Sequence, residues 1–158
     1  MGAHVEAGAL RLVERLEAHV RAAAGATLTL GYEARRRSRL RVRLDDGREA
    51  ALLLPRGTQL RGGDRLRADD GSVIEVRAAP EAVSVARSPD PLRLARACYH
   101  LGNRHVVLEI GAGCVRYLHD HVLDAMVAGL GLRVAAETAP FEPEPGAFGG
   151  GHPHGHGG

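Results

Sequence analysis

Between residues 39 and 44 the chain alternates without a break: Arg39, Arg41 and Arg43 on the odd positions, Leu40, Val42 and Leu44 on the even ones. A period of two predicts a strand with arginines on one face and apolar side chains on the other. Asp45, Asp46 and Gly47 then supply a turn, EAALLL from residue 49 is a second strand run, and Pro55 stops it. The GGD of 62–64 and the DDG of 69–71 bracket a short strand around Leu66, and VIEV at 73–76 gives another. Short strands punctuated by Gly and Asp predict a small all-β unit over residues 27–78, a sandwich or a partly open barrel. Ahead of it, Leu10, Val13, Leu16 and Val20 recur near the helical period. That spacing leans towards a helix, although RLVERL is short enough to begin a β domain instead, and residues 1–26 stay open.

The pattern changes around Ala79, Pro80 and Glu81. AVSVA at 82–86 reads as a strand, and Asp90 followed by Pro91 reads as an N-cap with proline at the first helical position. Leu94, Ala97, Cys98 and Leu101 line one side of a helix that ends near Gly102 and Asn103. VVLEI at 106–110 and CVRYL at 114–118 predict two strands, with Gly111 and Gly113 marking the turn between them. Val122, Leu123, Met126, Val127 and Leu130 predict a second helix face, closed by Gly131, and LRVAAET a last strand. The order is β-α-β-β-α-β, a ferredoxin-like arrangement with two helices on one face of a four-stranded antiparallel sheet. From Pro140 onward the composition shifts to Pro, Glu, Gly and His, which cannot repay the entropy of folding by apolar burial. The expected class is therefore α+β. Residues 1–78 form an N-terminal β domain, 79–140 a ferredoxin-like domain, and 141–158 a mobile tail.

Composition adds limits. With 158 residues, two Phe, three Tyr and no Trp, two small domains must build thin cores from Leu, Val and Ala, and association with another copy is expected. The formal charge is only +2 and every basic side chain is Arg, so no general case for nucleic acid arises. The dense basic run is Arg35, Arg36, Arg37, Arg39, Arg41 and Arg43. It fits a solvated sheet face or a protein-docking face, and it lacks the interleaved aromatics on which bases stack. Cys98 and Cys114 sit in apolar settings and read as small core hydrophobes rather than a disulfide framework. Charged residues from Glu6 to Glu17 interrupt each early apolar run, and nothing approaches a membrane span, so the expectation is a cytoplasmic protein without a membrane role. HExxH, GxSxG, a P-loop, GxGxxG and CxxC are all missing, and no enzyme class gains support.

The chemistry that stands out is imidazole. Seven of the nine histidines fall in three stretches: YHLGNRH at 99–105, LHDHV at 118–122 and GHPHGHG at 151–157. His100 and His105, taken singly, fit surface or capping roles. In HDH, Asp120 is a good N-cap for the following helix, but capping leaves His119 and His121 unexplained. A two-residue spacing in extended chain can put that pair on one face. His152, His154 and His156 alternate with Pro153 and Gly155, unlike the contiguous run of a purification tag. Imidazole nitrogens suit Zn, Ni and Cu. Mobile ligands with few carboxylates argue for exchangeable metal rather than a fixed catalytic or structural site.

These residues carry a resemblance. YHLGNRHVVLEI, followed by RYLHDHVLDAMVAGLG and a histidine-bearing tail, resembles the UreE family of urease accessory metallochaperones. The upstream LTLGYEARRRSRLRVRLDDGREAALLLPRGTQLRGGDRLRADDG resembles that family's N-terminal β domain, and the likeness covers about residues 27–140. It implies a nickel donor that transforms no substrate, built as a homodimer through the ferredoxin-like domains. It also implies that His105 from both copies meets one metal at the two-fold axis. His119 and His121 match a further metal-binding pair, His152, His154 and His156 match the variable terminus, and His100 ranks below His105. The N-terminal domain would dock proteins. The implied partners are an accessory GTPase and apo-urease with its other accessory proteins. Two departures matter: the tail has only three histidines, and residues 1–26 match poorly. Zn²⁺ and Cu²⁺ fit the same nitrogen ligands, Cu²⁺ more tightly than Ni²⁺. Passive nickel or zinc storage remains open as an alternative, as does a docking or folding factor with incidental histidines.

Overall fold

Residues 8–146 are described by the structure, a computed structural model, and they divide into two units. The first holds the residues up to Ala82 together with Thr138–Glu142. Its strands are β1 (Leu10–Arg15), β2 (Ala26–Leu30), β3 (Arg39–Arg43), β4 (Glu49–Leu53), β5 (Arg65–Ala68) and β6 (Val73–Ala78), with a one-turn helix α1 (Tyr32–Arg35) after β2. They form one six-stranded sheet in the order β2-β6-β5-β1-β4-β3. β1 runs parallel to β4 and β2 parallel to β6, while the remaining neighbours are antiparallel. Leu12, Leu28, Leu52, Leu66, Ile74 and Val76 are sealed from solvent and make the core. The alternation of β3 is as the sequence predicts, with Val42 buried and Arg39, Arg41 and Arg43 exposed along a sheet edge.

Two points of this unit go beyond the sequence reading. Residues 10–15, open between a helix and the start of a β domain, form a strand. The register of β1 against β5 shifts between Leu12 and Glu14, and the buried residues of this stretch are Leu12 and Leu16. Val13, the supposed helix-face residue, is 40 % exposed. The arginine run is also not uniform. Arg35 is buried: Nε donates to the Leu30 carbonyl at 3.1 Å, Nη1 to the Leu60 carbonyl at 3.4 Å, and Nη2 to the Phe141 carbonyl. Nη1 also pairs with Glu142 at 3.5 Å. Phe141, the first residue that composition assigns to the tail, is fully buried, its ring edge-on to Tyr32 at 5.5 Å.

The second unit holds Val83–Glu137 and the described residues from Pro143. Its elements are β7 (Pro80–Arg87), α2 (Pro91–Asn103), β8 (Glu109–Gly111), β9 (Cys114–Leu118), α3 (His121–Gly129) and β10 (Arg133–Pro140). The sheet order β10-β7-β9-β8 is that of the ferredoxin-like fold the element sequence predicts. Both helices start as expected. Asp90 accepts from the Leu92 amide, and Asp120 accepts from those of Val122 and Leu123. Ala97 and Leu101 of α2 and Val127 of α3 pack with Ala86, Val115 and Tyr117 in a second core. Full burial of a side chain such as Leu101 stabilises by about 1.5–3 kcal/mol. Val122 is off the predicted face of α3 and 54 % exposed.

The strand predicted at 106–110 is shorter than its apolar run. Pairing with β9 covers only Glu109, Ile110 and Gly111, because residues 105 and 106 are taken up in closing α2. The Leu108 carbonyl accepts instead from the Glu144 amide at 2.7 Å. Among the described residues no helix is long and apolar enough to cross a membrane.

Candidate metal centre

The site residues of the second unit lie where its two helices end and begin. At the end of α2 the His105 amide donates to the Gly102 carbonyl at 2.9 Å, and the Val106 amide reaches back to Leu101 at 3.2 Å. This double closure places its pivotal residue in the left-handed region, where glycine is the usual occupant. Here the pivot is His105, with φ 59°, the one non-glycine residue at positive φ among those described. A Cβ there costs on the order of 1–2 kcal/mol, so the backbone does not explain the choice of histidine. The imidazole is exposed. One turn earlier on α2, His100 is also exposed and meets the Tyr99 ring edge-on at 5.3 Å.

The HDH stretch spans the join between β9 and α3. Asp120 is in extended conformation and uses its carboxylate as the cap, which holds its pKa below the ordinary carboxylate range through the amides of Leu123 and Val122. His119 precedes the helix and His121 is its first residue, so the two imidazoles leave different kinds of backbone. His119 Nδ1 lies 3.0 Å from Ser84 Oγ and 3.2 Å from Asp124 Oδ2. Asp124 Oδ1 in turn accepts from the Tyr117 hydroxyl at 2.8 Å. Burial, reinforced by that carboxylate, pushes the Tyr117 phenol above its ordinary range. His121 is exposed and makes no side-chain hydrogen bond among the described residues.

Serine, histidine and aspartate in one network invite comparison with a hydrolytic triad. In a triad the serine and the acid engage opposite ring nitrogens. Here both meet Nδ1, and Ser84 is fully buried. Among the described residues this network presents no nucleophile. Cys98 and Cys114 are both free and half-buried, and burial pushes the Cys98 thiol up, away from the thiolate form.

Within one copy the described residues bring no three of His, Cys, Asp and Glu together as a metal cluster. His100, His105, His119 and His121 are all exposed, the setting an exchangeable ion requires, but a single copy does not assemble them. His152, His154 and His156 lie outside the described residues. Sequence reasoning missed Ser84, Tyr117 and Asp124. Asp124 is an acid in a helix's first turn, which the helix dipole already accounts for. Ser84 and Tyr117 are brought together by the pairing of β7 with β9, which leaves no local signal.

The described residues thus join a mixed β sheet to a ferredoxin-like fold that carries four exposed imidazoles. Comparison with known proteins gives the family. Residues 10–79 match the family model described as UreE urease accessory protein, N-terminal domain, and residues 81–158 match that of the C-terminal domain. The chain is 63% identical over 141 residues to the urease accessory protein UreE of Alkalilimnicola ehrlichii, covering 89% of this chain and 85% of that protein. It is 58% identical over 130 residues to the protein of the same name in Burkholderia thailandensis, covering 82% of this chain and 61% of that one. For Burkholderia pseudomallei the figures are 57% over 129 residues, 82% and 64%. The chain thus spans less than two thirds of these Burkholderia relatives. It belongs to the UreE urease accessory protein family, whose members are accessory chaperones and not enzymes.

Proposed function

We propose that this chain is a nickel metallochaperone that donates nickel ions to apo-urease while the urease metallocentre is assembled in the cytoplasm. It binds and releases metal and transforms no substrate. Family membership across both units supports the role, and the observation that carries the site is His105: an exposed imidazole kept at a backbone position that favours glycine. The protein works as a homodimer. Leu92 and Tyr99, seven residues apart and so on one side of α2, are 56 % and 66 % exposed, an apolar face suited to a second copy. The two His105 side chains share one nickel ion. His119, His121, His100 and the tail histidines His152, His154 and His156 complete its coordination or hold further ions. Zn²⁺ and Cu²⁺ bind the same nitrogens in vitro, so nickel is selected by availability and by partner docking. The partners are the accessory GTPase and apo-urease with its other accessory proteins, with the first unit as the docking module.

The test compares two variants in calorimetry and in urease activation with nickel limiting. His105→Ala should lose the tightest nickel site and keep the dimer. Deleting residues 151–158 should lower stoichiometry or retention and leave activation partly intact. Full activation by His105→Ala alongside complete loss in the truncation would make the tail the carrier and His105 a bystander.

A further inference from the structure

We propose that Asp124 is a positioning residue for metal capture: it holds His119 in the Nδ1–H tautomer and leaves Nε2 as the nitrogen offered to a divalent cation. The inference rests on the nickel reading above and names, within it, the group that prepares one ligand. Three elements converge to build the arrangement. Ser84 on β7 stands opposite Tyr117 on β9 in the strand register, and both are fully buried. Asp124 comes from the first turn of α3, with Oδ1 fixed by the Tyr117 hydroxyl and Oδ2 3.2 Å from His119 Nδ1.

An ionised carboxylate accepts hydrogen bonds and donates none. A bare Nδ1 lone pair facing Oδ2 at that distance would be repelled, so the proton of the neutral ring sits on Nδ1. Ser84 Oγ, 3.0 Å from the same nitrogen, accommodates that choice, since a hydroxyl can accept. The lone pair is then on Nε2. No hydrogen bond among the described residues reaches that atom, and the His119 side chain is 42% exposed. Ligating histidines are commonly oriented this way, the far ring nitrogen donating to a carboxylate that also raises ligand basicity. A first-turn acid serving only the helix terminus would have no need of a buried tyrosine behind it. The contrast lies two residues on: His121, with no side-chain hydrogen bond among the described residues, has no such preparation. The HDH pair is asymmetric, with His119 the built ligand.

The test uses the full-length dimer with ¹⁵N-labelled histidine, reading the ring nitrogens of each residue by NMR before and during titration with nickel alone. Metal-free wild type should show His119 as the Nδ1–H tautomer; an Nε2–H tautomer there overturns the proposal without any variant. Asp124→Asn keeps an acceptor for Tyr117 but turns a donor towards Nδ1. It should switch His119 to Nε2–H and raise the nickel concentration that broadens its signals by about 10–100-fold, the usual effect of removing an outer-shell partner. His105 should respond as in wild type. Tyr117→Phe, which keeps the carboxylate but loosens it, should keep the tautomer and lose less affinity. Nickel that perturbs His105 normally and His119 equally in wild type and Asp124→Asn overturns this proposal alone. Nickel that perturbs neither residue in wild type overturns the nickel reading, and the ligand role of His119 with it.

Discussion

The two helices of the ferredoxin-like unit occupy equivalent places in its β-α-β repeats, and each is closed by a residue at positive φ. α3 closes with Gly131 at φ 93°, the conformation for which glycine is the default; α2 closes with His105 at φ 59°. Their starts also match, each with an aspartate cap. At three of the four helix termini the residue chosen is the one that local energetics favour. At the fourth it is not, and that is the terminus where the family resemblance places a metal ligand. A residue that local structure alone would not select is a stronger functional pointer than one that a capping rule already explains.

The largest expected effect falls on metal. His105→Ala and His105→Gly should each weaken the first nickel ion by more than about 100-fold, beyond what loss of an outer-shell partner costs, as calorimetry on the dimer would measure. Equal affinity in variant and wild type would remove the special status of this terminus. Next comes Gly131→Ala, expected to cost about 1–2 kcal/mol in urea unfolding because it forces a Cβ into the left-handed region. An added Cβ would also lie 3.1 Å from the Arg93 guanidinium. A neutral result would mean that the two closures are not energetically alike.

Loss of the caps ranks third. Asp90→Ala should cost about 1 kcal/mol. Asp120→Ala should cost more than Asp90→Ala, since its carboxylate serves two amides where Asp90 serves one. Because Asp120 is held below its ordinary value of 3.8, its contribution is present above that value and fades as the pH falls through the lower folded one. In an acid titration of unfolding, wild type and Asp120→Asn should differ above that value and converge as the pH falls through the lower folded one. The smallest effect has the opposite sign. His105→Gly should stabilise the unit by about 0.5–1 kcal/mol, relief of the left-handed strain less the entropy that glycine adds to the unfolded chain, whereas His105→Ala should bring no such gain.

Where local rules decide, the sequence was readable. The alternation of β3, the turn at 45–47, both helix caps and the β-α-β-β-α-β order all stand as their residues suggest. Failures came where a distant partner decides. Pairing of β1 with β4 and β5 decides which of its side chains turn inward: Leu12 and Leu16 are buried and Val13 is not, despite its helix-like spacing. Arg35 looks like its neighbours in the arginine run until the carbonyls of Leu30, Leu60 and Phe141 collect its guanidinium. The site divides in the same way. His105, His119 and His121 were legible as motif residues, but the left-handed φ of His105 and the Ser84–Tyr117–Asp124 support of His119 arise only once the strands are paired and the helix is closed.

The bond from the Glu144 amide to the Leu108 carbonyl sets the length of a leash. It fastens the chain three residues beyond His105, so the reach of the last histidines is measured from Glu144. Eight residues separate that point from His152 and twelve separate it from His156. Fully drawn out at about 3.3–3.6 Å per residue, those spans are at most about 29 Å and 43 Å.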